Sequence, residues 1–263
     1  MFDSQWFASL GHEVAGLLAQ KTTWFVACVV FISGITRGFS GFGGALIFIP
    51  LTAAVLGPRK AVAVFYLFDL VSATPYGFSY LPKSRWREVA PMAIAAIAML
   101  PVGAWVLKTT DPMVLRWIMA GLVSVMLLVL VTGWRYRGQP TPLASTVVGL
   151  GAGLTGGATG VSGPLVIAYW LSSTAEASVI RANIMVFYAF ASFSTDVVYF
   201  FNGFFTFDVV VYALIAWPLY TIGLALGARF FKGTSDSQYR IAAYVLIALS
   251  VVFSLPLFDH FIR

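Results

Sequence analysis

Apolar residues fill ten stretches of the chain, at about 22–35, 43–57, 60–81, 88–107, 112–134, 142–155, 161–173, 179–201, 207–228 and 237–257. Short connectors containing Gly, Pro or Arg separate them. In hydrocarbon, a lone strand leaves its N–H and C=O groups unpaired, so all ten stretches are predicted to be helices. The fold class expected is therefore an all-α integral membrane protein with about 8–10 membrane segments. Two pairs stand apart, 22–35 with 43–57 and 142–155 with 161–173. Each member has roughly 14 residues, about 21 Å of helix, which is short for a hydrocarbon core of about 30 Å. These pairs are expected to be broken or re-entrant helices. Ahead of them, Phe2, Trp6, Leu10, Val14 and Leu17 recur at helical spacing. With Asp3, His12 and Glu13 between them and no basic start, they predict a short interfacial helix rather than a signal peptide.

The broken pairs are explained by an internal repeat. Sliding the chain by 119 positions lays Gly34–Gly44 on Gly153–Gly163 and matches Gly34/Gly153, Thr36/Thr155, Gly38/Gly157, Gly41/Gly160, Gly44/Gly163 and Leu46/Leu165. A shift of 124 brings Gly103, Ala104, Lys108 and Arg116 onto Gly227, Ala228, Lys232 and Arg240. The expected organisation is one membrane domain with a first repeat over 22–134 and a second over 142–257. The 82–87 connector carries Lys83, Arg85 and Arg87, whereas its equivalent near 202–206 carries no basic residue. Positive charge prefers the cytoplasmic side, so the two copies are expected to be inverted.

Composition narrows the function classes. Hydrophobic residues make up 60% of the chain, charged residues only 10%, and the mean hydropathy is +0.89, which leaves too little polar surface for a water-soluble domain. The net charge of +6 points to lipid headgroups and not to nucleic acid, because Arg59, Lys60, Arg135, Arg137, Arg229 and Lys232 sit at segment ends. Cys28 is the only cysteine, so there is no internal disulfide and no multi-cysteine metal site.

The glycine-rich breaks are where chemistry is expected. Glycine costs about 1 kcal/mol in a helix interior, so several within eleven positions predict that the helices stop and unwind over 34–44 and 153–163. Unwound backbone survives in a membrane only when it is buried in protein or lines a wet cavity. The N–H groups that begin the following half-helices, near Gly43 and Ser162, would carry the positive end of the helix dipole. Candidate anion contacts in the first break are Thr36, Arg37, Gly38, Ser40, Gly41 and Gly43. In the second break they are Thr155, Gly157, Thr159, Gly160 and Ser162. Arg37 would supply a fixed charge able to bind an oxyanion by forked hydrogen bonds. The alternative for the glycines is close helix packing, and for Arg37 a snorkelling surface role.

A second signal lies in polar stripes. Val62, Tyr66, Asp69, Ala73, Tyr76 and Tyr80 share a helix face, and 119 positions on they become Arg181, Met185, Tyr188, Ser192, Thr195 and Tyr199. Such faces turn into the bundle, away from lipid. Asp69, Tyr76, Tyr188 and Asp196 are candidates for coupling or gating. A carboxylate here either pairs with an arginine or binds a proton. The sequence leaves Asp69 open between these and favours pairing for Asp196. Arg181 is read as either an interfacial anchor or a further anion contact.

Enzymatic chemistry finds little support. His12 and His260 lie at opposite ends, and neither an HExxH nor a GxSxG motif occurs. Ser40 and Thr159 have no histidine in the spans to act as base, so hydroxyl donation is the simpler role. The chain is therefore read as not an enzyme, and no cofactor is expected.

Two copies of a G-x-T-x-G-x-S/T-G-x-x-G stretch, each followed by an apolar half-helix with Pro50 or Pro164, resemble the TauE/SafE sulfite-exporter family. So does Arg181-Ala-Asn183 leading to Tyr199-Phe-Phe-Asn-Gly203. The resemblance spans about residues 24–255. It implies a secondary transporter in the bacterial inner membrane that moves small sulfur-containing anions, such as sulfite, thiosulfate, sulfoacetate or other sulfonates, with export the expected direction. A passive anion channel and a non-transporting assembly or signalling protein remain as alternatives. The expected partners are a small anion and the bilayer. A homodimer stays open, because lipid-facing and partner-facing apolar surfaces look alike.

Overall fold

The computed structural model describes Gly16 and residues 20–40, 43–132, 141–171 and 177–231. The interfacial helix expected before residue 20 and the last apolar segment, 237–257, lie outside the described residues. The described chain forms α1 (Lys21–Ser40), α2 (Gly44–Leu56), α3 (Pro58–Phe78), a 3-10 turn (Leu81–Lys83), α4 (Trp86–Thr109), α5 (Pro112–Val131), α6 (Pro142–Thr159), α7 (Gly163–Leu171), α8 (Ala177–Phe201) and α9 (Phe207–Phe231). No strand occurs among the described residues. Five helices, α1, α3, α4, α8 and α9, hold stretches long and apolar enough to cross a membrane. The protein is a multi-pass membrane protein.

Local chemistry sets the helix ends. Proline opens α3, α5 and α6, where its missing N–H would have had no helical partner. Thr141 caps α6 by accepting from the Ala144 amide at 3.2 Å. Asp111 does the same for α5, accepting from the Met113 amide at 2.8 Å. At the other end of α4, Arg59 donates from Nε to the Leu107 carbonyl at 2.9 Å and from a terminal nitrogen to the Thr110 carbonyl at 3.0 Å. A cation there suits the negative end of the helix dipole.

The glycine-rich stretches correct one expectation. α1 runs unbroken through Gly34 and Gly38, and α6 through Gly149, Gly153 and Gly157. Each is 20 or 18 residues long, not a half-helix of about 14. The reason is packing. α1 lies along α9 and α4 along α6, and these are the most extensive helix pairs. A Cβ on Gly38 would collide with the Leu224 carbonyl, and one on Gly227 with the Ile35 carbonyl. In the other pair a Cβ on Gly153 would collide with the Ala96 carbonyl, and one on Gly103 would lie 2.6 Å from the Leu154 carbonyl. Lipid tails are as apolar as leucine, so helices associate through van der Waals contact, and small residues maximise it. That contact offsets the poor helix propensity of glycine.

Between these pairs, α3 packs against α8, with Gly77 beside Ala189 and the Met185 carbonyl. Phe48, Phe65, Phe68 and Tyr220 make edge and tilted ring contacts that join α2, α3 and α9. The outer faces are apolar, with Trp24, Ile94, Trp105, Phe200 and Leu214 directed outward, as a lipid-facing surface requires.

Gly153→Leu is expected to destabilise the purified protein by about 3 kcal/mol, the upper end of overpacking costs, because the obstruction is backbone. Gly121, with open space around it, should accept Leu with little change. Thermal unfolding of both variants in detergent checks this, and equal midpoints would remove the crossing as the reason for glycine.

Candidate functional site

The true interruptions are short. α1 ends at Ser40 and α2 begins at Gly44; α6 ends at Thr159 and α7 begins at Gly163. Gly160 takes a left-handed conformation, φ 73°, that side chains other than glycine rarely adopt, and its N–H donates to the Gly156 carbonyl at 2.8 Å. Thr159 steadies the turn: its hydroxyl donates to the Thr155 carbonyl at 2.8 Å and accepts from the Val161 amide at 3.2 Å. On the other side, the Ser33 hydroxyl donates to the Gly44 carbonyl at 2.8 Å and ties α1 to the start of α2.

The first turn of α2 and the second interruption reach one cavity of about 30 Å³, the size of one or two water-sized spheres. Its walls are Arg37 of α1, Ala45 and Leu46 in the first turn of α2, and Gly160, Val161, Ser162 and Gly163 at the second interruption. The polar stripes close it, with Tyr66 and Asp69 from α3 and Tyr188 and Ser192 from α8. Of the residues singled out in the sequence, Arg37, Asp69, Gly160, Ser162 and Tyr188 meet here.

Arg37 is the cationic group of the cavity and is only 9% exposed. A terminal guanidinium nitrogen lies 3.8 Å from Asp69 Oδ2, and the guanidinium carbon lies 5.3 Å from the centroid of the Tyr188 ring. The charge is thus held by a carboxylate on one side and an aromatic face on the other. Asp69 is more tightly engaged than that long ion pair implies. It accepts from Tyr220 Oη at 2.7 Å and from Ser192 Oγ at 3.3 Å. The Tyr188 hydroxyl lies beside Ser162 and is buried with no partner in hydrogen-bonding geometry among the described residues. Chemically, the cavity offers a guanidinium, the hydroxyl groups of Tyr66, Ser162, Tyr188 and Ser192, and the N-terminal turns of α2 and α7, all suited to a small anion.

The other predicted residues lie elsewhere. Gly38 and Gly157 sit in the helix crossings. Thr36 and Thr155 turn back on their own helices, donating to the Ile32 and Gly151 carbonyls at 2.9 Å. Gly43 precedes α2, and its carbonyl accepts from the Ile47 amide. Tyr76 is 37% exposed and shares a hydrogen bond of 2.9 Å with Tyr80. Gly41 and the side chains of Ser40 and Arg181 lie outside the described residues. Asp196 is 4% exposed, does not line the cavity, and has neither oxygen bonded among the described residues. Among the described residues no arginine pairs with it.

One residue of the site escaped the sequence reading. Tyr220 of α9 holds Asp69, yet it lies in an unbroken apolar segment. Its spacing of three and seven from Gly223 and Gly227 puts it on the face that meets α1, which is the signal that could have found it.

The model of the family described as "Sulfite exporter TauE/SafE" matches residues 26–254. A relative from Cupriavidus necator, described as a probable sulfite/organosulfonate exporter TauE, is 29% identical over 229 residues, which cover 82% of this chain and 88% of that protein. No solved structure matches. The family match spans nearly all the described helices, the cavity included, and the chain belongs to the sulfite exporter TauE/SafE family of membrane transporters of small anions.

Proposed function

We propose that the protein is a secondary transporter that exports small sulfur-containing anions, sulfite or organosulfonates, across a bacterial inner membrane. The anion binds at Arg37, between the first turns of α2 and α7, with Ser162 and the Tyr188 hydroxyl as further donors. The observation that carries this reading is the burial of Arg37 in a cavity to which the first turn of α2 and the turn before α7 both contribute. The relative's description as a sulfite/organosulfonate exporter supports the substrate class and the direction.

Asp69 gives the binding step its character. In a cavity of this volume the carboxylate of Asp69 is the anion nearest Arg37. An incoming anion competes with it, and the long 3.8 Å contact is easily exchanged. Asp69 keeps its Tyr220 and Ser192 donors meanwhile, so it is not left bare. The site widens as the anion enters.

The frame for alternating access is a pair of inverted repeats, 22–134 and 142–257, that rock against each other. Matching contacts support it: Gly38 lies against Leu224 and Ala228 as Gly157 lies against Leu100 and Ala104, and Gly227 lies against Ile35 and Phe39 as Gly103 lies against Leu154 and Ala158, at the offsets of 119 and 124 found in the sequence.

Arg37→Ala should weaken sulfite or sulfonate binding roughly 30-fold or more while the protein stays monodisperse. Thermal stabilisation of detergent-purified protein by a panel of small anions measures this, since a ligand of the native state raises its apparent stability. An unchanged affinity removes Arg37 from the site. Asp69→Asn is expected to tighten binding by about tenfold, because the competing charge is gone. Weaker binding in that variant would mean that Asp69 helps to hold the anion and does not compete with it. In proteoliposomes, labelled sulfite should exchange against internal sulfite with saturation; linear, unsaturable flux would indicate a channel.

A further inference from the structure

Asp196 is the buried group that the anion site does not use. It lies on α8 one turn beyond Ser192, on the face that meets α3, and is 4% exposed. Both carboxyl oxygens lack a hydrogen-bond partner among the described residues, unlike those of Asp69. From α3, Tyr66 and Asp69 are the ionisable groups close enough to act on it, and on its own helix Tyr199 lies one turn on. Tyr66 lies within electrostatic reach of both carboxyl groups and lines the cavity.

No cation among the described residues offsets Asp196. Arg37 is engaged with Asp69 and Tyr188. α4 and the 81–83 turn also pack on α8, but Glu88 and Arg85 meet it at Asn183, thirteen positions or about 20 Å along the helix. Lys83 stands over Tyr80. From α7, Tyr169 is bonded to Ser145 at 2.7 Å, and α6 bears no ionisable side chain. A bare carboxylate in such a place, with no donors and a second carboxylate nearby, is costly, whereas the neutral acid is far less so. A metal cation would need several oxygen ligands, and no cluster of three or more acidic, His or Cys residues occurs among the described residues.

We infer that Asp196 is a proton-binding site, separate from the anion site and joined to it through Tyr66 and Asp69. A hydronium ion gives its proton to one Asp196 oxygen and leaves as water, and the same O–H bond breaks when the proton passes to a water molecule on the other side. Carried with a monovalent anion, it makes the movement electrically neutral. The coupling role rests on the transport reading above; the proton site itself does not.

Infrared spectroscopy of the purified protein, with no substrate present, tests the site directly. The wild type should show the carbonyl stretch of a protonated carboxylic acid that disappears on alkaline titration. The band should be absent from Asp196→Asn, shifted in Asp196→Glu and retained in Asp69→Asn. A band unchanged in Asp196→Asn, or no such band in the wild type, overturns the inference. So does an Asp196→Asn protein that cannot be purified folded, since asparagine is close in shape to the neutral acid. In proteoliposomes, Asp196→Asn should keep sulfite exchange within about twofold but lose at least tenfold of the accumulation driven by a pH gradient. Retained gradient-driven accumulation overturns the coupling. Absent exchange in the wild type counts against the transport reading alone, and the infrared result still decides the proton site.

Discussion

Two pairs of helices meet backbone to backbone, α1 on α9 and α4 on α6, and those crossings place Arg37 and the helix interruptions at the cavity. Lipid supplies no hydrophobic drive to press helices together, so contact area and backbone proximity must do so. Gly34 and Gly38 lie against Tyr220, Leu224 and Ala228, while Gly153 and Gly157 lie against Ala96, Leu100 and Gly103. Each crossing ends within a few residues of the point where its helix stops, at Ser40 or Thr159. The interruptions are thereby held inside the bundle, where released backbone groups find partners such as the Gly156 carbonyl and the Thr159 hydroxyl. The same crossing fixes Arg37. It precedes Gly38 by one residue, so when Gly38 faces α9, Arg37 is turned about 100° away, toward α3 and α8.

Burying that guanidinium requires compensation, and the surrounding residues share it. Asp69 supplies the opposite charge, but its hydrogen bonds are made chiefly to Tyr220 and Ser192. Tyr188 offers the face of its ring. This division matters for function. A short bidentate pair with Asp69 would saturate Arg37 and leave an anion no means of entry. Distributed, partial contacts keep the charge stable inside the protein.

Much of this arrangement was legible in the sequence, and the misses share a physical cause. The helical segments follow from unbroken apolar runs, and the meeting of Asp69, Tyr188 and Ser192 follows from a helical stripe that lipid would penalise. The extent of the interruptions did not follow. Propensity registers the cost of each glycine but not the neighbour that removes it, so Gly38 and Gly157 read the same as Gly160. Of these three, only Gly160 has the left-handed backbone that ends a helix. Tyr220 was hidden for a related reason, since one hydroxyl in an apolar run has no periodicity of its own. Asp196 was visible as a charge, but whether an arginine stood opposite it depends on the rotation of α3 and α8, which spacing alone leaves free.

Symmetry and chemistry part company at the cavity. Positions 69 and 188, 119 apart in the sequence, both face Arg37, yet one is a carboxylate and the other a tyrosine. The position equivalent to Arg37 is Gly156, which lies against Ser162 with 3.2 Å between its would-be Cβ and that of the serine. An arginine there would crowd Ser162 and bring a second positive charge to a space of about 30 Å³. Two guanidinium groups around one small anion would hold it more strongly in every conformation, and uniform tightening slows release as much as it favours capture. A carrier instead needs one modest charge that both sides of the membrane reach in turn. Among the described residues the cavity holds one arginine, and under the proposed reading a paired frame around it meets that requirement.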